Sequence, residues 1–234
     1  DVDLAFIPDC NGDGSNHLEL ASPGLEKRAP TFCDKPFAYE YRDACALVEL
    51  AEQTGTPLMS LSILREVPQG GHFQSRLAEI APVGFACIKG GGTTMPGHIH
   101  AISLAQSVFG PGVEAVEAMG PAELSFVHLM YGEGRDQFQP EAGVMLNCDS
   151  GPTYHCSFYV SAFSALGPIH SSQIGDFEFP WGSASVLRKV QAMVATGQPQ
   201  APYAEMLECI AIATTGRLAQ ERGERVLLSE VTSS

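Results

Sequence analysis

The tripeptide Asp34-Lys35-Pro36 closes a short apolar run, Ala29-Pro30-Thr31-Phe32-Cys33, just ahead of a helix-like stretch opening near Tyr39. Lys35 therefore falls where a strand ends and a helix is about to begin. In open α/β sheets that is the crevice where ligands bind. Pro36 restricts the Lys35 backbone to an extended form and so aims the ammonium in a fixed direction. Such a lysine can hold an oxygen or, with burial lowering its pKa, exchange a proton. The plainer alternative is a solvated loop residue. A second candidate is Gly97-His98-Ile99-His100, which with Asp149 or His155 invites a metal reading. Two histidines at i, i+2 face different sides of a helix, and a helix is expected to open here, so the spacing is poor for one ion and no metal is expected. Tyr154-His155, Phe158 and Tyr159 lie on an expected strand, where aromatics more often pack a sheet face than contact a ligand.

The elements that must position these residues can be read coarsely. Residues 2–7 read as a strand, residues 9–16 as a turn-rich loop, residues 17–25 as a helix and residues 31–33 as a strand. A long helical pattern follows, with Ala44, Leu47, Val48, Leu50 and Ala51 on one face and Gly55 as its stop. Residues 57–61 read as a third strand, and strand–helix alternation of this kind marks a parallel α/β sheet. The character then changes. Residues 67–71 read as a linker, residues 73–80 as a short helix, residues 83–88 as a strand, and Gly90-Gly91-Gly92-Thr93-Thr94 as a flexible loop before a helix at 98–109. Residues 113–119, 124–131, 143–147 and 153–161 read as antiparallel strands, and helices at 183–196 and 204–222 lead to a short strand at 225–228. No internal repeat or low-complexity segment interrupts the pattern.

Composition narrows the function classes. With 13 Lys+Arg against 27 Asp+Glu the formal charge is −14, which argues against nucleic acid or an anionic membrane as partner. No apolar run approaches the ~20 residues of a membrane span. The seven cysteines are scattered with no Cys-x-x-Cys pair, as expected of reduced thiols in a cytoplasmic protein rather than a disulfide framework. The chain opens inside a strand without an initiator Met, which suggests a missing upstream part or a processed product.

Taken in order, Asn11, His17, Cys33-Asp34-Lys35-Pro36, Ala46-Leu47-Val48-Glu49-Leu50-Ala51, Pro57-Leu58-Met59, Gly97-His98-Ile99-His100 and the stretch from Glu205 to Leu228 make the chain resemble the glucose–fructose oxidoreductase / inositol dehydrogenase (Gfo/Idh/MocA) family. The resemblance implies an NAD(P)-dependent oxidoreductase acting on a sugar, polyol or related hydroxy compound. It implies the C-terminal half of a Rossmann-type parallel sheet at residues 1–66, without its Gly-rich first half, followed at 67–234 by an α+β domain with an open, mainly antiparallel sheet. No G-x-G-x-x-G follows a strand here, and Gly90-Gly91-Gly92 lacks the spacing. About 60 or more residues of βαβ structure would then be absent, and the piece alone is expected to bind a dinucleotide weakly.

By the same resemblance Lys35 is the proton-transfer residue and His100 faces the substrate. Asn11, Asp34 and Pro36 stand on the cofactor side, with Asp34 in place of the usual Glu. Arg65 and His98 are substrate-side candidates, Arg65 having a surface ion pair as its alternative. His17 matches the family's first-domain histidine with two extra loop residues. Many members carry carboxylates four residues before and three after the second-domain histidine, where this chain has Pro96 and Ser103. That departure raises the alternative of a non-catalytic relative that binds a ligand or assembles. A dimer or tetramer formed through the C-terminal sheet is also implied.

Overall fold

The computed structural model describes residues 2–9, 12–121, 123–148 and 157–233. Strands β1 (Ala5–Ile7), β2 (Thr31–Cys33) and β3 (Leu58–Met59) alternate with helices α1 (His17–Glu26) and α2 (Tyr41–Thr54). The strands form a parallel sheet in the order β1-β2-β3, with Ile7 opposite Cys33 and Phe32 opposite Met59. Parallel neighbours need a crossover, and the two helices supply it. Every residue of β2 is buried, because helices cover both faces of the sheet, so the strand reads as a continuous apolar run rather than an alternation. Gly24 lets α1 press close: a Cβ there would stand 2.7 Å from the Ala5 Cβ. Gly55 closes α2 in the left-handed conformation at φ 65°, as its position predicts.

A 3-10 turn (Ile63–Glu66) and helix α3 (Pro68–Arg76) come next. The linker expected at 67–71 is thus a helix start. Pro68 suits the first helical turn, and Gly70 is buried with its α carbon facing Leu104, so packing outweighs the glycines' poor propensity. Strand β4 (Phe85–Lys89) and helix α4 (Met95–Phe109) follow, then β5 (Val113–Met119), β6 (Phe126–Tyr131), β7 (Val144–Asn147), β8 (Tyr159–Ser164) and β9 (Gly167–His170). Helices α5 (Phe179–Thr196) and α6 (Tyr203–Arg222), strand β10 (Val226–Leu227) and helix α7 (Leu228–Thr232) complete the chain.

The second sheet has the order β10-β5-β6-β7-β4-β8-β9. It is antiparallel throughout except for the β4–β7 pair, which is parallel. Its inner face packs on α4 and α6. Its outer face is open and crossed by two registered rows, Met119–Phe126–Asn147–Lys89–Tyr159 and Glu117–His128–Met145–Cys87–Ser161–His170. Helix α5 crosses back to the first sheet, where Val186, Val190 and Met193 pack on Phe32, Met59 and Leu61. A larger core runs without interruption from Leu25 and Leu47 to Ile102 and Ile210. Among the described residues no helix is long and apolar enough to cross a membrane.

Candidate active site

The carboxyl ends of β2 and β3 face the first turn of α4, and a cleft of about 560 Å3 lies between them. Its walls include Asp34 and Lys35 from the end of β2, Ile63 and Leu64 from the 3-10 turn, and Gly91, Gly92, Pro96, Gly97 and His100 from the loop and helix after β4. That volume lies within the range of about 300–1,000 Å3 common to small-molecule sites. Two glycines bring the loop this close to the helix. A Cβ on Gly91 would fall 2.8 Å from the Gly97 carbonyl oxygen, and one on Gly97 would fall 2.7 Å from the Gly92 nitrogen.

Asp34 is tied to the sheet by its N–H, which donates to Ile7 O at 2.9 Å, and its Oδ1 accepts the Lys35 N–H at 2.7 Å. Burial raises the Asp34 pKa, opposed by that N–H and by the Lys35 charge. The Lys35–Pro36 peptide is cis. Lys35 Nζ donates to Pro96 O at 3.1 Å, joining the first sheet to the start of α4. His100 sits one turn further along. Its Nδ1 lies 2.7 Å from Ser62 Oγ, and its pKa is pushed down to about 3, first by burial and then by the Lys35 charge. Both effects keep the imidazole neutral at ordinary pH. The structure therefore brings Asp34, Lys35 and His100 to one cleft.

The remaining candidates fall elsewhere. His98 does not face the cleft, which corrects the expectation of a substrate-side role. It is fully buried, with Nδ1 3.2 Å from Cys148 Sγ, and its Nε2 lacks a hydrogen-bond partner among the described residues. The cause is helical geometry: α4 opens at Met95, so residues 98 and 100 project to different sides. The same divergence separates the two imidazoles as metal ligands, and among the described residues no cluster of three or more His, Cys, Asp or Glu could hold a metal ion. Arg65 lies behind Lys35 on a separate cavity of about 30 Å3, where its guanidinium donates to Gln106 Oε1 and pairs with Glu205. It takes the ion-pair alternative, in a half-buried rather than a surface setting. His17 is buried, with neither ring nitrogen hydrogen-bonded among the described residues. Asn11, Asp149, Tyr154 and His155 lie outside the described residues.

Ser62, Phe158, Phe179 and Ser183 also reach the site, Ser62 through His100 and the others on the cleft wall, and sequence reasoning missed these roles. Ser62 had one local signal, its N-cap position two residues before Leu64, whose N–H donates to the Ser62 hydroxyl oxygen at 3.2 Å. The aromatic walls come from distant chain segments and had none.

The burial of His98 has a measurable consequence. Its pKa falls from 6.5 to about 3, mainly through burial and secondarily through the Arg217 charge. The unfolded chain then takes up the proton first as pH falls. Stability from this group is full above about pH 6.5 and declines below it until about pH 3 is reached. At pH 5 the loss is about 2 kcal/mol. His98→Leu is expected to remove that part of the acid sensitivity, as read from urea midpoints at pH 7 and pH 5. An unchanged pH slope in the variant would contradict the burial account.

No protein-family model matches the sequence, and no curated protein matches it at a significant level. Solved structures do match. GenD2 from gentamicin A biosynthesis, in complex with NAD, superposes with a TM-score of 0.78 over 97% of this chain and 78% of its own, at 13% identity. The WlbA dehydrogenase of Bordetella pertussis, in complex with NADH and UDP-GlcNAcA, gives 0.77 over 97% and 80%, at 11% identity. The apo scyllo-inositol dehydrogenase of Lactobacillus casei gives 0.76 over 98% and 80%, at 13% identity. The chain has the Gfo/Idh/MocA fold. Within that fold the superposition spans both the parallel sheet and the open, mainly antiparallel one. The cleft described above lies between these two parts.

Proposed function

We propose that the chain supplies the catalytic cleft of an NAD(P)-dependent oxidoreductase that transfers a hydride between nicotinamide and a sugar, polyol or related hydroxy compound. The observation that carries this reading is the convergence of Lys35, from the end of β2, and His100, from helix α4, on one cleft. The donor set fits the nicotinamide-ribose end of a dinucleotide, with the half-buried Asp34 carboxylate placed for ribose hydroxyls beside Lys35 and Pro36. No G-x-G-x-x-G turn follows a strand in this sequence, and Gly90-Gly91-Gly92 between β4 and α4 lacks that spacing, so no residue is assigned to the pyrophosphate half. Bound NAD(P) supplies the hydride acceptor at the reacting carbon.

The chain's own residues handle the proton. In the oxidative direction the substrate O–H breaks as its proton passes to Lys35 Nζ, once that ammonium has released a proton to solvent; the hydride passes from carbon to the nicotinamide, and the oxygen ends as a carbonyl. Reduction runs the same transfers backwards. Phe158 and Phe179 wall the cleft and limit water around the reacting atoms. The test is cofactor reduction by the protein as isolated from its source, over a panel of inositols, hexoses and uronates. Dinucleotide binding without reduction by any of them would favour the second reading, a ligand-binding or assembly relative. One observation favours that alternative: the His100 hydrogen bond goes to a serine rather than to a carboxylate.

We further propose that a second copy of the chain covers the open sheet face. Met119, Tyr159 and Phe163 are between 38% and 45% exposed there, more apolar surface than a strand face in water normally keeps. Light scattering is expected to give a dimer or tetramer mass, and Phe163→Lys to shift it toward the monomer. A monomeric wild type would refute the arrangement.

A further inference from the structure

We infer that Ser62 fixes the tautomer of His100, so that the imidazole carries its proton on Nε2 and presents it to the cleft as a hydrogen-bond donor. The tautomer follows from hydrogen-bond accounting, whereas its use on a substrate oxygen rests on the proposed oxidoreductase reading. A serine hydroxyl has one proton to give and two lone pairs. One lone pair of Ser62 Oγ already receives the Leu64 N–H, because Ser62 caps the 3-10 turn. His100 Nδ1 lies 2.7 Å from the same oxygen.

Two arrangements are then open. If Nδ1 carried the proton, Ser62 Oγ would accept twice, and its own hydroxyl proton would need another acceptor. Ser62 is only 2% exposed, and among the described residues its hydroxyl makes these two hydrogen bonds alone. If instead the hydroxyl donates to Nδ1, every group is satisfied and the imidazole proton sits on Nε2. A buried donor left unmade is costly enough to favour the second arrangement by on the order of tenfold or more. The doubly protonated ring is disfavoured by burial and by the Lys35 charge.

The choice of serine inverts the chemistry that a carboxylate would impose. A carboxylate would accept from Nδ1–H and leave a lone pair on Nε2, making the ring a base. The Ser62 hydroxyl leaves Nε2–H, making the ring a neutral donor, an arrangement suited to holding the oxygen on which charge develops. Lys35 is then the proton acceptor of the pair and His100 the partner that holds the oxygen. Ser62 is a positioning residue, since it acts only through His100.

The test is two-bond 1H–15N spectroscopy on the uniformly labelled 234-residue chain, which reads the protonation of each ring nitrogen directly. His100→Gln identifies the signals by their loss. The expected spectrum shows an unprotonated Nδ1 and a protonated Nε2. Ser62→Ala is expected to move both shifts toward the average of exchanging tautomers, Ser62→Thr to restore them, and Ser62→Asp to reverse them. A wild-type Nδ1–H, or shifts unmoved by Ser62→Ala, would overturn the inference. Should Ser62→Ala fail to fold, the wild-type and Ser62→Thr spectra still decide. Activity is read separately: an Nε2–H ring in a protein that reduces no cofactor supports the tautomer and contradicts the oxidoreductase reading, so the two failures are distinguishable.

Discussion

Lys35→Met is expected to lower kcat by about 10²–10⁴-fold, the usual share of a positioned acid–base group, while dinucleotide affinity changes little. Methionine keeps much of the lysine's apolar stem but carries no ionisable nitrogen. What is lost is the bond to Pro96 O and the group that accepts the substrate proton. The cleft keeps its other walls, because Asp34 is held by Ile7 O and His100 by Ser62, both independent of the ammonium. Steady-state kinetics with a direct cofactor-binding titration check the result. Equal kcat in wild type and variant would remove Lys35 from the chemistry, and lost cofactor binding would place it in recognition instead.

Arg65→Met is expected to destabilise the fold by about 2–3 kcal/mol, with little change in KM. Breaking a buried ion pair from one side costs about 3–5 kcal/mol, and the partial exposure of Arg65 (16%) and Glu205 (29%) reduces that figure. The guanidinium joins the 3-10 turn to α4 through Gln106 and to α6 through Glu205. Gln106 Nε2 in turn donates to Glu205 O at 3.1 Å, and Glu208 Oε1 accepts the Gly112 N–H at 2.6 Å. Removing the arginine therefore strands a carboxylate and loosens contacts across three elements. Thermal unfolding is expected to fall by about 5–10 °C. A KM increase of tenfold or more without lost stability would instead show that Arg65 reaches the substrate.

How far the sequence carried can be judged from particular residues. The strand ending at Cys33 and the stop at Gly55 were legible because they depend on local chemistry, an apolar run and a left-handed cap. The divergence of His98 and His100 was legible from helical spacing, and the resemblance put His100 on the substrate side, but the turn of His98 into the core was not read from the sequence. Helix α4 starts three residues earlier than expected because Pro96 is tolerated in a first turn, and that start makes its carbonyl the Lys35 acceptor. Strand β9 was missed because Ala165-Leu166 carries none of the glycine or asparagine signals of a two-residue hairpin. The Ser62–His100 contact spans 38 residues and the Arg65–Glu205 pair 140. No local pattern encodes such pairings; packing of the two sheets on α4 and α6 creates them.

The central claim is that this cleft moves a hydride. The measurement that meets it most directly is incubation of the protein as isolated with oxidised cofactor and carbon-deuterated inositols and hexoses, followed by mass analysis of the cofactor. The account predicts reduced nicotinamide carrying the deuterium, formed about 10²–10⁴-fold more slowly by Lys35→Met. Cofactor that binds yet never acquires the label from any of these compounds would contradict it.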